Sequence, residues 1–118
     1  MKTKIVALKK NEDFKSLLKG KKISNKYFTI FFNKILNKDS NNLNVSFITK
    51  KKIGNAVKRN KIRRKLKSAV IKILKDDKAI NLNYTYIIFG KTHVYKEKFP
   101  TIFNEVNASF KKIKNLIN

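Results

Sequence analysis

Arginine occurs at only three positions of this chain, Arg59, Arg63 and Arg64, and lysine supplies nearly all of its other basic side chains. The planar guanidinium group can bind a phosphate through two parallel hydrogen bonds and can stack on a base, whereas lysine offers a mobile point charge. A chain that uses lysine almost everywhere, but arginine here, is expected to need the guanidinium geometry at this site. These residues therefore predict recognition of a nucleic-acid backbone.

The sequence around the arginines contains no acidic residue between Asp39 and Asp76, while the same segment carries twelve basic residues. Gly54 and Asn55 precede a predicted helix, so free backbone N–H groups at its N-terminus can bind an anion. A charge run is usually only a solvated helix face, but solubility explains neither the clustered arginines nor the missing acids. We therefore expect the chemistry of the chain to be concentrated in this segment.

Composition favours one folded domain over residues 1–118 that binds a polyanion. The formal net charge is +23, and 42% of the residues are hydrophobic, which is enough to build a core. RNA or DNA is the favoured partner, and an anionic membrane surface is the alternative. The apolar runs are too short to span a bilayer and no cysteine is present, so we expect a cytoplasmic protein with no membrane partner. The sequence identifies no protein partner.

The residues that commonly carry catalysis are sparse in this chain. His93 is the only histidine, and neither serine nor cysteine stands out as its partner. The paired acids Glu12-Asp13 and Asp76-Asp77 are typical of helix ends rather than of a two-metal phosphodiesterase site, which needs several converging carboxylates. We therefore predict no catalytic residue in the protein and assign no metal site to it.

Hydrophobic periodicity predicts an α+β fold, a two-layer α/β sandwich with about four strands and three helices. The predicted strands span residues 27–36, 45–49 and 84–91, with a further strand at 22–24. The predicted helices lie between Asn11 and Gly20, over residues 56–75, and from Pro100 onward. A polar turn is expected from Asn37 to Asn44.

The predicted helix over residues 56–75 divides into three arcs at about 100° per residue. The arc expected to face the sheet is apolar: Ile62, Leu66, Ala69, Val70 and Ile73. The arc expected to be solvated lies opposite: Lys61, Lys65, Ser68 and Lys72. The flank between them, supported by the core and open to a ligand, holds the candidate RNA contacts Asn60, Arg63, Arg64 and Lys67, with Arg59 near the apolar edge.

Residues 51–64 (KKIGNAVKRNKIRR) closely resemble the signature of the bacterial ribonuclease P protein component. Residues 8–14 (LKKNEDF) are similar to the start of the first helix in that family, and the predicted strand 84–91 ends in Lys91, where the family has a basic residue. The resemblance implies an α/β sandwich with a left-handed βαβ crossover, of the ribosomal protein S5 domain 2-like type. The general handedness rule for such connections would predict a right-handed one.

The resemblance also implies a function. The chain is expected to bind the catalytic RNA of ribonuclease P and the 5′ leader of precursor tRNA, while the RNA, with magnesium, carries the endonucleolytic chemistry. Residue pattern and resemblance together predict RNA contacts at Lys51, Lys52, Gly54, Asn55, Arg59, Asn60, Lys61, Arg63, Arg64 and Lys67. The resemblance places the leader in a cleft lined by Phe14, Leu18 and Phe31. A small ribosomal-type structural RNA-binding protein is the alternative.

Overall fold

The computed structural model describes residues 4–8, 11–34, 42–76 and 79–117. Within these ranges the strands are β1 (Ile5–Val6), β2 (Lys21–Ser24), β3 (Phe28–Asn33), β4 (Leu43–Ile48) and β5 (Thr85–Gly90). The helices are α1 (Asn11–Leu18), α2 (Ala56–Leu74) and α3 (Phe99–Ile117), and short 3₁₀ turns occur at Lys51–Ile53 and Thr92–Val94. No helix in the described ranges is both long enough and apolar enough to cross a membrane.

The strands form one mixed sheet in the order β1-β4-β5-β3-β2. β1, β4 and β5 run parallel, while β3 is antiparallel to both β5 and β2. Since parallel neighbours need a crossover connection, α2 links β4 to β5 in a βαβ unit. The handedness of this crossover stays a prediction from the resemblance.

The two faces of the sheet are covered by different helices. Alternate residues of β3, namely Phe28, Ile30 and Phe32, are buried in the main hydrophobic core beneath α2 and α3. α1 packs against β3 and β5, and its Leu17 is fully buried. Because neighbouring strand residues point to opposite faces, the half-buried Phe31 lies on the side away from that core. The shortness of α1 leaves part of this second face open.

The predicted α+β architecture is confirmed, with five strands rather than about four. The unpredicted strand is β1, in which Ile5 and Val6 pair with Leu43 and Asn44. Two residues are too few to give a strand signal, and their pairing depends on a distant segment. Of the predicted turn from Asn37 to Asn44, residues 37–41 lie outside the described part, while Leu43–Asn44 belong to β4. Residues 35–36, the end of the predicted strand 27–36, also lie outside it.

The three-arc description of α2 is confirmed on its apolar side. The five residues predicted to face the sheet are the buried residues of the helix: Ile62, Leu66, Ala69, Val70 and Ile73. Gly90, the last residue of β5, lies directly below two of them, since a Cβ there would be 2.6 Å from Ile62 Cγ2 and 2.9 Å from Leu66 Cδ1. This close approach fixes α2 against the sheet and so sets the position of its basic residues.

Candidate nucleic-acid interface

The N-terminus of α2 is built by Gly54 and Asn55. Gly54 has φ 158° and ψ −165°, a backbone conformation that side chains with a Cβ rarely adopt. Asn55 caps the helix, because its side-chain oxygen accepts a hydrogen bond from the backbone N–H of Lys58 at 2.9 Å. The first turn contains no acid. The positive end of the helix dipole therefore adds to the surrounding lysine charge.

Four residues on one side of α2 form a surface that we call the arginine flank: Asn60, Arg63, Arg64 and Lys67. They line a cleft of about 650 Å³ together with Phe14 of α1 and part of β4. Arg63 donates hydrogen bonds to Thr49 Oγ1 at 3.0 Å and to Asn60 Oδ1. Both partners are neutral, so the Arg63 guanidinium is oriented without an acidic group that would offset its positive charge.

The other two arginines differ in their exposure. Arg64 is exposed on the arginine flank, where its guanidinium can reach a ligand. Arg59 is half-buried, and its Nε atom is buried without a hydrogen-bond partner among the described residues. The arrangement combines an oriented guanidinium at Arg63 with an accessible one at Arg64, as phosphate recognition requires.

A second cleft of about 780 Å³ opens on the face of the sheet that α1 leaves uncovered, and we call it the sheet-face cleft. The rings of Phe31 and Phe89 meet edge to face there, with their centroids 5.6 Å apart. Lys22 Nζ lies 5.7 Å from the centroid of Phe31. The remaining lining residues are Leu18, Thr29, Lys50, Lys52, Ile53, Gly90, Lys91 and Thr92. Aromatic rings among lysines can hold unpaired bases and their phosphates.

Lys91 is fixed at the edge of the sheet-face cleft. Its Nζ donates to Ser24 Oγ at 2.9 Å and to the carbonyl oxygen of Asn25 at 2.6 Å. Its backbone N–H also donates to the carbonyl oxygen of Tyr27 at 2.8 Å. The contacts tie the end of β5 to the β2–β3 hairpin, and they hold the rim of the cleft in place.

The three residues predicted to line one leader cleft, Phe14, Leu18 and Phe31, lie in two different clefts of the structure. Leu18 and Phe31 line the sheet-face cleft, whereas Phe14 lies in the cleft of the arginine flank. Sequence reasoning missed Phe89, although Phe89 alternates with the buried Ile88 along β5 and pairs with Thr29 across the sheet. It also missed Lys22 and Lys50, whose place in the cleft depends on how separate elements pack.

On the other side of α2 lies the lysine flank, formed by Lys58, Lys61, Lys65 and Lys72. Lys65 was predicted to be solvated, and that prediction is wrong. Its Nζ donates to the carbonyl oxygens of Val94, Tyr95 and Glu97 at 2.8, 3.1 and 2.7 Å. Burial and the neighbouring charge of Lys61 lower the pKa of Lys65. The carbonyls come from a loop 29 to 32 residues further along the chain, beyond the reach of helix periodicity.

The remaining lysines of this flank lie over aromatic rings. Lys58 Nζ and Lys61 Nζ are each 5.3 Å from the centroid of Tyr95. Lys72 Nζ is 4.6 Å from the centroid of Phe103 on α3. The attraction between each ammonium group and a ring offsets part of the mutual repulsion among like-charged side chains on one side of the helix.

Comparison with known proteins agrees with this geometry. The family model for Ribonuclease P matches residues 2–114. The ribonuclease P protein component of Clostridioides difficile is 33% identical over 111 residues, which cover 93% of this chain and 87% of that protein. The corresponding protein of Macrococcus caseolyticus is 39% identical over 79 residues, covering 63% of this chain and 67% of the relative.

The fold comparison gives the same result. The solved structure of the Staphylococcus aureus RNase P protein superimposes with a TM-score of 0.72 at 26% identity, covering 95% of this chain and 97% of that one. The match of the family model to residues 2–114, together with the similar fold, shows that the chain belongs to the ribonuclease P protein family.

Proposed function

We propose that this protein is the RNA-binding subunit of ribonuclease P, which helps a catalytic RNA to remove the 5′ leader from precursor tRNA. One observation carries the proposal: a single short segment contributes to both clefts. Lys50 and Lys52 line the sheet-face cleft, and Asn60 to Lys67 provide the arginine flank. A protein built in this way can hold two RNA chains close together.

The arginine flank is the proposed contact with the catalytic RNA. Arg63 is held by neutral hydrogen-bond partners, and Arg64 is exposed beside it. Contacts of guanidinium groups with phosphates fix the register of a protein on RNA without reading its sequence. The exposed Lys51 would add a phosphate contact beside the start of α2, while the exposed Lys52 and Lys61 would add theirs at the sheet-face cleft and on the lysine flank.

The sheet-face cleft is the proposed site for the 5′ leader. The leader is single-stranded, so its bases are free to stack on the rings of Phe31 and Phe89, each stack contributing about 1–3 kcal/mol. Lys22 and Lys52 can neutralise its phosphates from the rim. Such a cleft would favour precursor tRNA over mature tRNA, because the mature molecule has no leader to place there.

Catalysis is assigned to the RNA subunit in this proposal. Nowhere in the described ranges do three or more histidine or acidic side chains gather into a group that could hold a metal ion. The proposal places the magnesium ions on the RNA subunit. It places the assembled ribonuclease P in the cytoplasm. The protein contributes by neutralising charge between two polyanions and by positioning the substrate.

A cleavage assay with 5′-labelled precursor tRNA at low magnesium tests the proposal. The samples contain the protein alone, a bacterial ribonuclease P RNA alone, or both, and mature tRNA serves as the binding control. We expect cleavage at the mature 5′ end only in the combined sample. Tight binding without any gain in cleavage would instead favour a ribosomal-type structural protein, and cleavage by the protein alone would contradict the assignment of catalysis to RNA.

A further inference from the structure

The loop that follows β5 is anchored to the lysine flank of α2. Three carbonyl groups, from Val94, Tyr95 and Glu97, surround the ammonium group of Lys65. Tyr95, from the same loop, lies beneath Lys58 and Lys61. The loop and the N-terminal half of α2 are therefore held as one unit with a defined geometry.

This unit, together with Lys26 and Tyr27 between β2 and β3, borders an open hollow of about 440 Å³, which we call the Tyr95 pocket. Its basic lining residues are Lys26, Lys58, His93 and Lys96. Among the described residues, Glu97 is the only acid in the lining. The Glu97 carboxylate already accepts hydrogen bonds from Tyr27 Oη at 2.9 Å and from the backbone N–H of Lys98 at 3.0 Å. The pocket thus has a surplus of positive charge that its own acid does not cancel.

We propose that the Tyr95 pocket is a second RNA site that binds a phosphodiester group, on the opposite side of α2 from the arginine flank. The inference rests on the proposed function and extends it, because the protein would then contact two separate stretches of RNA backbone at once. Lys58 and Lys61 lie over the Tyr95 ring, so an ammonium group rather than an open ring meets the ligand. That arrangement selects a phosphate over a stacked base.

Electrostatics supports the same occupant. Lys26, Lys58 and Lys96 converge on one hollow, and their mutual repulsion is relieved when an anion enters it. Lys65, which does not line the pocket, holds the backbone of the loop in place, so little ordering of that backbone is needed when RNA binds. The Tyr95 pocket and the arginine flank have no lining residue in common, so variants can separate their effects.

The first test compares two double variants with the same change in charge. Lys26→Gln/Lys96→Gln removes two exposed lysines of the pocket, and Lys75→Gln/Lys111→Gln removes two exposed lysines elsewhere, just after α2 and on α3. Binding is measured to ribonuclease P RNA alone, and for the holoenzyme to mature tRNA, over a range of salt. We expect the pocket variant to bind at least one of these two RNAs roughly 5- to 50-fold more weakly than the control variant does, with a salt slope shallower by about 1 to 2. The RNA whose binding is weakened is the one that the pocket contacts.

The outcomes separate this inference from the proposed function. If the wild-type protein activates the RNA but both double variants bind equally well, the Tyr95 pocket is not an RNA site and the function stands. If the wild-type protein neither binds nor activates the RNA, the proposed function itself fails. Thermal unfolding of both variants shows that any difference in binding does not come from loss of the fold.

A second test locates the RNA directly. The chain has no cysteine, so Lys96→Cys provides a unique position for an iron chelate that cleaves nearby RNA, with Lys111→Cys as the matched control. We expect RNA cleavage from position 96, at nucleotides different from those reached from Arg64→Cys, and none from position 111. Absence of cleavage from position 96 in an active holoenzyme would overturn the inference.

Discussion

Arg63 and Lys65 stand two residues apart on α2, but their charged groups have different surroundings. Arg63 donates to the neutral side chains of Thr49 and Asn60 and faces a cleft. Lys65 places its ammonium group among three backbone carbonyls. A compact ammonium group suits such a cage, while a planar fork of donors can bind internal partners and an external phosphate together. The unequal use of arginine and lysine therefore has a structural basis.

The exposed Arg64 allows a test of whether guanidinium geometry matters at this surface. We expect Arg64→Ala to weaken assembly with the catalytic RNA and to reduce the salt slope of binding by about 0.7–0.9, the values for one phosphate contact with single-stranded and duplex nucleic acid. Arg64→Lys keeps the charge, so it should preserve the slope but still lose affinity. Filter-binding titrations at several salt concentrations measure both quantities. An unchanged affinity and slope in Arg64→Ala would remove this residue from the interface.

Phe31 is the residue on which preference for the leader should depend most. Its ring meets Phe89 in the sheet-face cleft and is half-buried, so its removal should leave the main core intact. We expect Phe31→Ala to reduce the preference for precursor over mature tRNA by roughly 5- to 100-fold, as loss of one stacked base predicts. Affinity for the catalytic RNA should not change.

The matched control for Phe31 is Phe103→Ala, which removes another half-buried ring, on α3 and close to Lys72. We expect this variant to keep its preference for precursor tRNA. Equal losses of binding to precursor and mature tRNA in Phe31→Ala would show that Phe31 only supports the fold.

At the scale of elements, α2 is the part that the sequence predicts most fully. Its apolar spacing identifies all five buried positions, because a helix buries residues at a fixed period. The partners of its other sides could not be predicted, since they come from the end of β4 and from the loop after β5. Periodicity shows which face is buried, but it does not show what a basic side chain meets.

The packing of α2 on β5 predicts the effect of Gly90→Ala. A Cβ at this position would lie 2.6 Å from Ile62 and 2.9 Å from Leu66, well inside normal contact distance. We expect the free energy of unfolding to fall by about 1–3 kcal/mol, as for overpacking in other cores. Urea denaturation measures this change in the free energy of unfolding. The control variant Gly20→Ala, where the nearest atom to the new Cβ is 3.2 Å away, should lose less stability. A gain in stability in Gly90→Ala would contradict this close packing.

The link between Tyr27 and Glu97 predicts how stability depends on acid pH. Hydrogen bonds from the backbone N–H of Lys98 and from the Tyr27 hydroxyl lower the pKa of Glu97 below its ordinary value of 4.5. The resulting stabilisation is fully present above pH 4.5 and is lost as the pH falls through the lowered pKa. Glu97→Gln has no carboxylate to protonate, so its urea midpoint should fall less steeply below that pH. Parallel acid profiles for the two proteins would show that the contact does not persist in solution.

At the scale of the whole molecule, the two clefts illustrate what the sequence could and could not predict. Arginine clustering and the missing acids are properties of one continuous segment, so they indicate the surface of α2 directly. The sheet-face cleft depends on Leu18, Lys50 and Phe89, which lie on three segments far apart in the chain. Only strand order and helix placement bring them together, so local patterns could not define this site.

The formal net charge of +23 on a chain of 118 residues predicts that the isolated protein is stabilised by anions. Mutual repulsion among the basic residues destabilises the compact state, and a multivalent anion bound between them offsets it. Binding of a ligand to the folded state raises the free energy of unfolding, by about 2.7 kcal/mol at a concentration roughly one hundred times Kd. We therefore expect the unfolding midpoint to rise with inorganic phosphate, measured by circular dichroism.

Two controls separate binding at defined sites from general screening. Sodium chloride at the same ionic strength screens charges equally, so phosphate must stabilise the protein more than chloride does. Arg63→Gln/Arg64→Gln removes the guanidinium groups of the arginine flank and should reduce the additional effect of phosphate, while Lys75→Gln/Lys111→Gln should keep it. Equal stabilisation by the two salts would mean that repulsion is relieved by screening alone. The arginine flank would then need RNA, rather than a small anion, to become a binding site.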